Sequence, residues 1–293
     1  MRVGAGSASS SRPARLRPAV QRTRRWLAGE ADADAAPRWL AWTVLTAPFV
    51  GGLVLFVAFI FARPQYYLVL QEDRLVEWLQ FSLCLLGALL AAAVVRMLVR
   101  RGEYAFAATV LMVALGLVLL SGEEISWGQR VFALVTPAEL ATVNAQRELN
   151  VHNVEAGGLR LQDAFKLVSF GLGVAGVALS LLARGPQPRL RGPVWQLLAP
   201  PLYTIPAFAG MALYRPLVLV APLDPLVRFQ EWVEASLFIG LAASIFCIYL
   251  RSRQPAARPW RLPVIALVGT SGLTVLFAVL TAYHGIVPGN VVQ

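Results

Sequence analysis

The chain has 293 residues, of which 57% are hydrophobic and 14% charged, with a formal net charge of +10. A soluble domain carries about 25% charged residues, so this composition excludes one. The positive charge does not point to nucleic acid either, because the arginines flank apolar runs, as membrane topology signals do, and Lys166 is the single lysine.

Residues 1 to 38 hold Arg12, Arg15, Arg17, Arg22, Arg24 and Arg25 without an apolar period, which predicts a disordered basic cytoplasmic tail. It is too long for the charged front of a secretory signal. Apolar runs follow at about 41–62, 75–97, 104–122, 165–183, 194–214, 229–250 and 262–284. Runs of about 20 residues cross roughly 30 Å of hydrocarbon at about 1.5 Å per residue. Backbone amides in lipid must be satisfied within their own segment, so the runs are expected to be helices, giving an all-α integral membrane fold of about seven spans. Cys84 and Cys247 lie inside apolar runs without metal-ligand spacing and read as small core residues.

The loops alternate in charge. Arg96, Arg100 and Arg101, then Arg184, Arg189 and Arg191, then Arg251, Arg253, Arg258 and Arg261 join the tail on one side. The positive-inside rule makes that side cytoplasmic and places the 123–164 loop and the C-terminus outside, in the periplasm if the cell is Gram-negative.

An internal repeat divides the chain further. Arg74-x-x-Glu77-Trp78-x-x-x-Ser82-Leu83 recurs as Arg228-x-x-Glu231-Trp232-x-x-x-Ser236-Leu237 at an offset of 154, and Arg63-Pro64 precedes the first copy as Arg215-Pro216 precedes the second. Shared hydrophobicity does not produce matched Arg, Glu and Trp. The expected organisation is a three-helix unit at 39–122, the extracytoplasmic loop at 123–164, a linking helix at 165–192 and a second unit at 193–293. The linker restores the orientation of the second copy, giving a parallel 3+1+3 repeat about a pseudo-twofold along the membrane normal. Its small residues, Gly171, Gly173, Ala175, Gly176 and Ser180, suit close helix packing.

The third run ends in Gly122-Glu123-Glu124-Ile125-Ser126-Trp127-Gly128-Gln129-Arg130. If that helix continues, Glu123, Trp127 and Arg130 share a face, and Glu123 can pair with Arg130 as an interfacial anchor. Thr136-Pro137-Ala138-Glu139 has the form of a capping box and predicts an interfacial amphipathic helix from about 137 to 151. That helix would align Asn144, Glu148 and His152 at i, i+4, i+8, a set able to ligate a divalent cation or to orient the His for acid–base work. A single His on a helix is more often a packing residue, but Asn150 and Asn153 make this loop unusually polar. Glu77 and Glu231 start descending helices, where each can pair locally with Arg74 or Arg228, or converge with Glu123, Glu124 and His284 at one mouth. Glu123, Glu124, Glu148 and His152 are thus candidate catalytic groups. Candidate substrate contacts are Glu77, Glu231, Arg130, Asn144, Asn150, Asn153 and His284.

The Gly122–Arg130 segment, with Asn144-x-Gln146-x-Glu148-x-Asn150-x-His152-Asn153, resembles an uncharacterised family of bacterial multipass inner-membrane proteins that carry the same two motifs, over about residues 70 to 155. The resemblance implies a membrane protein and the same residues of interest, but no reaction. The pattern departs from the histidine-rich seven-helix hydrolases that include alkaline ceramidases, since His152 and His284 each lack a neighbouring His.

Three functions follow. One is an enzyme or lipid-handling protein acting on a lipid or polyprenyl-linked substrate at the outer leaflet. Another is a transporter or channel, for which the repeat and Pro200, Pro201 and Pro206 speak, although no ionisable residue falls near a predicted midplane. The third is a non-catalytic assembly factor. Carboxylate and His side chains within about 6 Å of one another favour a site, and scattered ones favour docking.

Overall fold

The computed structural model describes residues 16–71, 74–253 and 261–286. The chain forms α1 (Leu16–Ala33), α2 (Arg38–Phe61), α3 (Arg63–Val69), α4 (Leu75–Arg100), α5 (Tyr104–Glu124), α6 (Ala138–Val143), α7 (Leu161–Arg184), α8 (Pro193–Leu198), α9 (Ile205–Val220), α10 (Asp224–Arg228), α11 (Gln230–Ser252) and α12 (Arg261–Ile286). Among the described residues seven helical stretches are long and apolar enough to span: α2, α4, α5, α7, Leu202–Val220, Asp224–Ser252 and α12. The protein is therefore a multipass membrane protein built from helices. Its two ends are called basic and acidic below, the acidic end carrying residues 123–164.

α11 is the hub. About 78% of its apolar window is buried, against 11% for α2 and for α12 at the rim. Its Ala235, Ser236, Gly240, Ala243 and Ser244 let neighbours close in where lipid supplies no hydrophobic drive between helices. α4 and α9 pack on α11, α5 lies along α4, and α7 packs on α9. Of the five small residues expected to pack, α7 buries Gly173, Gly176 and Ser180 and leaves Gly171 and Ala175 exposed. A Cβ on Gly176 would stand 2.3 Å from the Phe208 ring of α9, so only glycine permits this approach.

The pairing departs from a strict twofold. α12 packs chiefly on α4, whereas symmetry with α5 on α4 would set it on α11. The Arg-Pro pairs differ too: Arg63-Pro64 opens the short α3, while Arg215-Pro216 lies inside α9.

Two expectations are corrected. The segment read as a disordered tail folds as a helix from Leu16; the structure of residues 1–15 lies outside the described set. Its Leu27 and Ala31 are fully buried, and Asp34 just beyond it is buried between two arginines. Arg184 Nη2 lies 2.8 Å from Asp34 Oδ1, and Arg251 Nε lies 2.9 Å from the same oxygen. Partial burial raises the Glu30 carboxyl pKa above its ordinary value, against the lowering effect of Arg184. These contacts join residues far apart in sequence, which composition alone does not reveal.

The fifth span is displaced from 194–214 to Leu202–Val220. Pro200 and Pro201 end α8 at Leu198, since proline can neither donate to a helix nor tolerate a helical predecessor. Arg251 caps the stranded carbonyls of Leu197 and Ala199 at 2.6 and 3.0 Å. The break therefore sits at the basic end, supported by an arginine.

Candidate functional site

The acidic end is built around a sharp change of direction. α5 stops at Glu124, and Ser126, Trp127 and Gly128 take φ of 44°, 52° and 78°. Left-handed backbone is costly for most residues, which explains glycine at 128. The turn overturns the expectation that Glu123, Trp127 and Arg130 share a helical face. Trp127 folds back so that its Nε1 donates to Glu123 Oε1 at 2.7 Å, and Arg130 pairs with Glu148 instead of Glu123.

The predicted 137–151 helix is also corrected. α6 covers only Ala138–Val143, and Thr136 does not cap it. The Thr136 hydroxyl donates to the Arg147 carbonyl at 2.6 Å and accepts from Gln129 Nε2 at 2.7 Å. Asn144 ends the helix because its Oδ1 accepts the amides of Gln146 and Glu148, at 3.0 and 3.2 Å, giving the backbone an alternative to helical bonds. Arg147 then takes a positive φ of 57°. The chain doubles back so that Asn144 bridges Val154, and a β-hairpin of β1 (Glu155–Ala156) and β2 (Leu159–Arg160) leads into α7.

This folding brings the two motifs together. Glu123, 4% exposed, accepts the amides of Val151 and His152 at 2.7 and 2.9 Å, and its Oε2 lies 3.0 Å from His152 Nδ1. Glu148 accepts Ser126 Oγ at 2.7 Å and Asn150 Nδ2 at 2.9 Å besides its Arg130 partner. Asn150 in turn accepts from Asn144 Nδ2 at 2.9 Å, Asn153 donates to Gln146, and Gln129 Oε1 accepts the Leu149 amide at 2.7 Å. Buried polar groups here satisfy one another, as a low-dielectric setting requires.

Beneath this loop lies a cavity of about 640 Å³. Glu123, Glu124, Arg130, Glu148, Asn150, His152 and Asn153 line its mouth, with Glu77 from α4 and Glu231 from α11. Two candidates fall outside its lining. Asn144 is turned into its own loop, and His284 lies with Nδ1 3.4 Å from the Arg130 carbonyl. The helical i, i+4, i+8 alignment of Asn144, Glu148 and His152 does not form, because α6 ends at Val143; Asn144 and Glu148 both bond Asn150, and His152 meets Glu123. Among the described residues no group of three or more His, Cys, Asp or Glu side chains is placed to hold a metal ion.

Two groups remain directed to the cavity. His152 Nε2 makes no hydrogen bond among the described residues, so Glu123 holds the ring by one nitrogen and leaves the other available. Glu124 makes no hydrogen bond or ion pair among the described residues.

Sequence reasoning missed Glu234, Gln230 and the role of Arg215. Arg215, 9% exposed, lies 2.7 Å from Glu234 Oε1 and 2.8 Å from Gln230 Oε1, and donates to Ser169 Oγ at 3.3 Å. The Arg215 guanidinium thus ties α9 to α11 by the ion pair and to α7 by the Ser169 hydrogen bond, beside the cavity. The signal was present, since Glu234 lies three residues beyond Glu231 on the same helical face.

Below its mouth the cavity is apolar. Met112, Gly116 and Leu120 of α5, Phe165, Val168 and Leu172 of α7, and Leu237 and Leu241 of α11 form its walls. Met112 is 70% and Val168 61% exposed, so the slot reaches the flank of the bundle that faces lipid. Comparison with known protein families, with curated proteins and with solved structures found no match.

Proposed function

We propose that the protein is an inner-membrane enzyme or lipid-handling protein whose cavity takes up an amphiphile, a lipid or polyprenyl-linked molecule, with its head among Glu123, Glu124 and His152 and its chain between α5 and α7. The observation that carries this reading is the union of an acid–base cluster and an apolar slot in one cavity. From Met112 to Glu124 the wall runs about 18 Å at about 1.5 Å per residue, over half the hydrocarbon thickness. That length suits a chain entering from the side.

In this reading His152, oriented by Glu123, accepts a proton through Nε2, and Glu124 supplies or receives the second proton. Hydrolysis or group transfer at the head needs both roles. Glu123 meets His152 at 3.0 Å and Glu124 lines the same cavity, which favours a site over a docking surface. They also sit near one boundary instead of the midplane, which favours an enzyme over a transporter. Arginine at the opposite end supports a cytoplasmic basic end and an outward cavity. Glu77 and Glu231 lining one cavity from α4 and α11 support descent from a duplicated three-helix unit, and the motif resemblance supports the bacterial inner membrane.

The test is mass spectrometry of lipid retained by the protein in native nanodiscs, with the lipid profile of cells carrying each variant. Gly116→Leu should displace the retained lipid, because a Cβ there meets nothing within 4 Å and projects from the cavity wall. Glu124→Gln and His152→Gln should keep the lipid and let a precursor accumulate. Absence of retained lipid in the parent protein, with an unchanged profile in all three variants, refutes the reading.

A further inference from the structure

A second cavity, of about 600 Å³, lies at the basic end, far from the acid–base cluster in the fold. Its walls are two short stripes. Val20, Arg24 and Ala28 recur at i, i+4, i+8 on α1, and Arg38 and Trp42 recur at i, i+4 on the first turns of α2. α2 starts its span at Arg38, so these residues sit where headgroups meet hydrocarbon, the depth at which tryptophan and arginine concentrate.

The groove is preformed. α1 is anchored by buried Leu27 and Ala31 and by Asp34 between Arg184 and Arg251. Arg38 is partly neutralised by Asp32, with Nη2 2.9 Å from Oδ2, which leaves Arg24 as the main cation of the groove.

We propose that this groove binds the phosphate headgroup of an anionic phospholipid, with Arg24 and Arg38 on the phosphate and Trp42, Val20 and Ala28 against the first carbons of the chains. Guanidinium matches phosphate oxygens in a planar, paired geometry, and the apolar walls distinguish a lipid from a free anion. The exposed Arg22 and Arg25 of α1 add attraction without lining the groove.

The test uses the full chain in detergent, titrated with short-chain phosphatidylglycerol, phosphatidylcholine or inorganic phosphate and read by native mass spectrometry. Phosphatidylglycerol should bind in preference to phosphatidylcholine, and Arg24→Gln should weaken it about fivefold, the effect of one charge at a membrane surface. Arg22→Gln removes the same charge outside the groove and should cost less than twofold. Ala28→Leu fills the groove without changing charge and should also weaken binding. Equal losses in Arg24→Gln and Arg22→Gln, or undiminished binding in Ala28→Leu, would show diffuse attraction and overturn the site. Displacement of the lipid by equimolar inorganic phosphate would overturn the lipid assignment.

Discussion

Glu123 is the keystone of the acidic end, and its removal has a calculable cost. The carboxylate accepts hydrogen bonds from the Trp127 indole and from the amides of Val151 and His152, and it meets His152 Nδ1. Glu123→Ala strands three donors at about 1–3 kcal/mol each, and water reaching the half-exposed Trp127 recovers part of this, for a net loss of about 3 kcal/mol. Glu123→Gln keeps one carbonyl oxygen, which can serve the Oε2 donors, while its amide group confronts the indole N–H, so about 1–2 kcal/mol is expected. The loss is local to the loop. Hydrogen exchange on residues 144–153 in nanodiscs should therefore accelerate about a hundredfold in the alanine variant and about tenfold in the glutamine variant. Unchanged exchange at Val151 and His152 in Glu123→Ala, or equal damage from both substitutions, refutes the assignment of Glu123 as the group that holds the loop.

Two further outcomes probe the scaffold. Asp34→Asn leaves Arg184 and Arg251 together without their shared counter-charge, at about 3–5 kcal/mol; thermal unfolding should shift down and trypsin should cut α1 sooner at Arg24 and Arg25, and unaltered cleavage would count against the latch. Gly128→Ala forces a side chain into φ +78° and 2.8 Å from the Phe132 ring, so a loss of about 1–2 kcal/mol from backbone strain alone should appear as a lower unfolding temperature.

The spans were legible because lipid allows the backbone little choice: an apolar run of sufficient length must close its own hydrogen bonds. Boundaries set by particular side chains were harder to read. Asn144 sits in a run with helical periodicity, yet its carboxamide competes for the amides of Gln146 and Glu148 and ends α6 early. Arg130 stood seven residues from Glu123 and still chose Glu148, because three left-handed residues intervene. The order in α1 depends on Arg184 and Arg251, 150 and more residues away, and no local pattern encodes such a partner.

The polar density that singled out the 123–153 region in sequence has two causes, which the fold separates. Gln129 is occupied with Thr136, Asn144 with Asn150 and Asn153 with Gln146, as side chains must be where an irregular loop is buried. Among the described residues Glu124 and the Nε2 of His152 are not consumed in this way, and both residues line the cavity. A rigid loop gains nothing from a carboxylate that makes no hydrogen bond or ion pair among the described residues, since its desolvation is a cost without a structural return. The two groups that contribute least to holding the loop are thus the ones on which the chemical reading rests, and substitutions there should spare the fold while those at Glu123 or Asn144 do not.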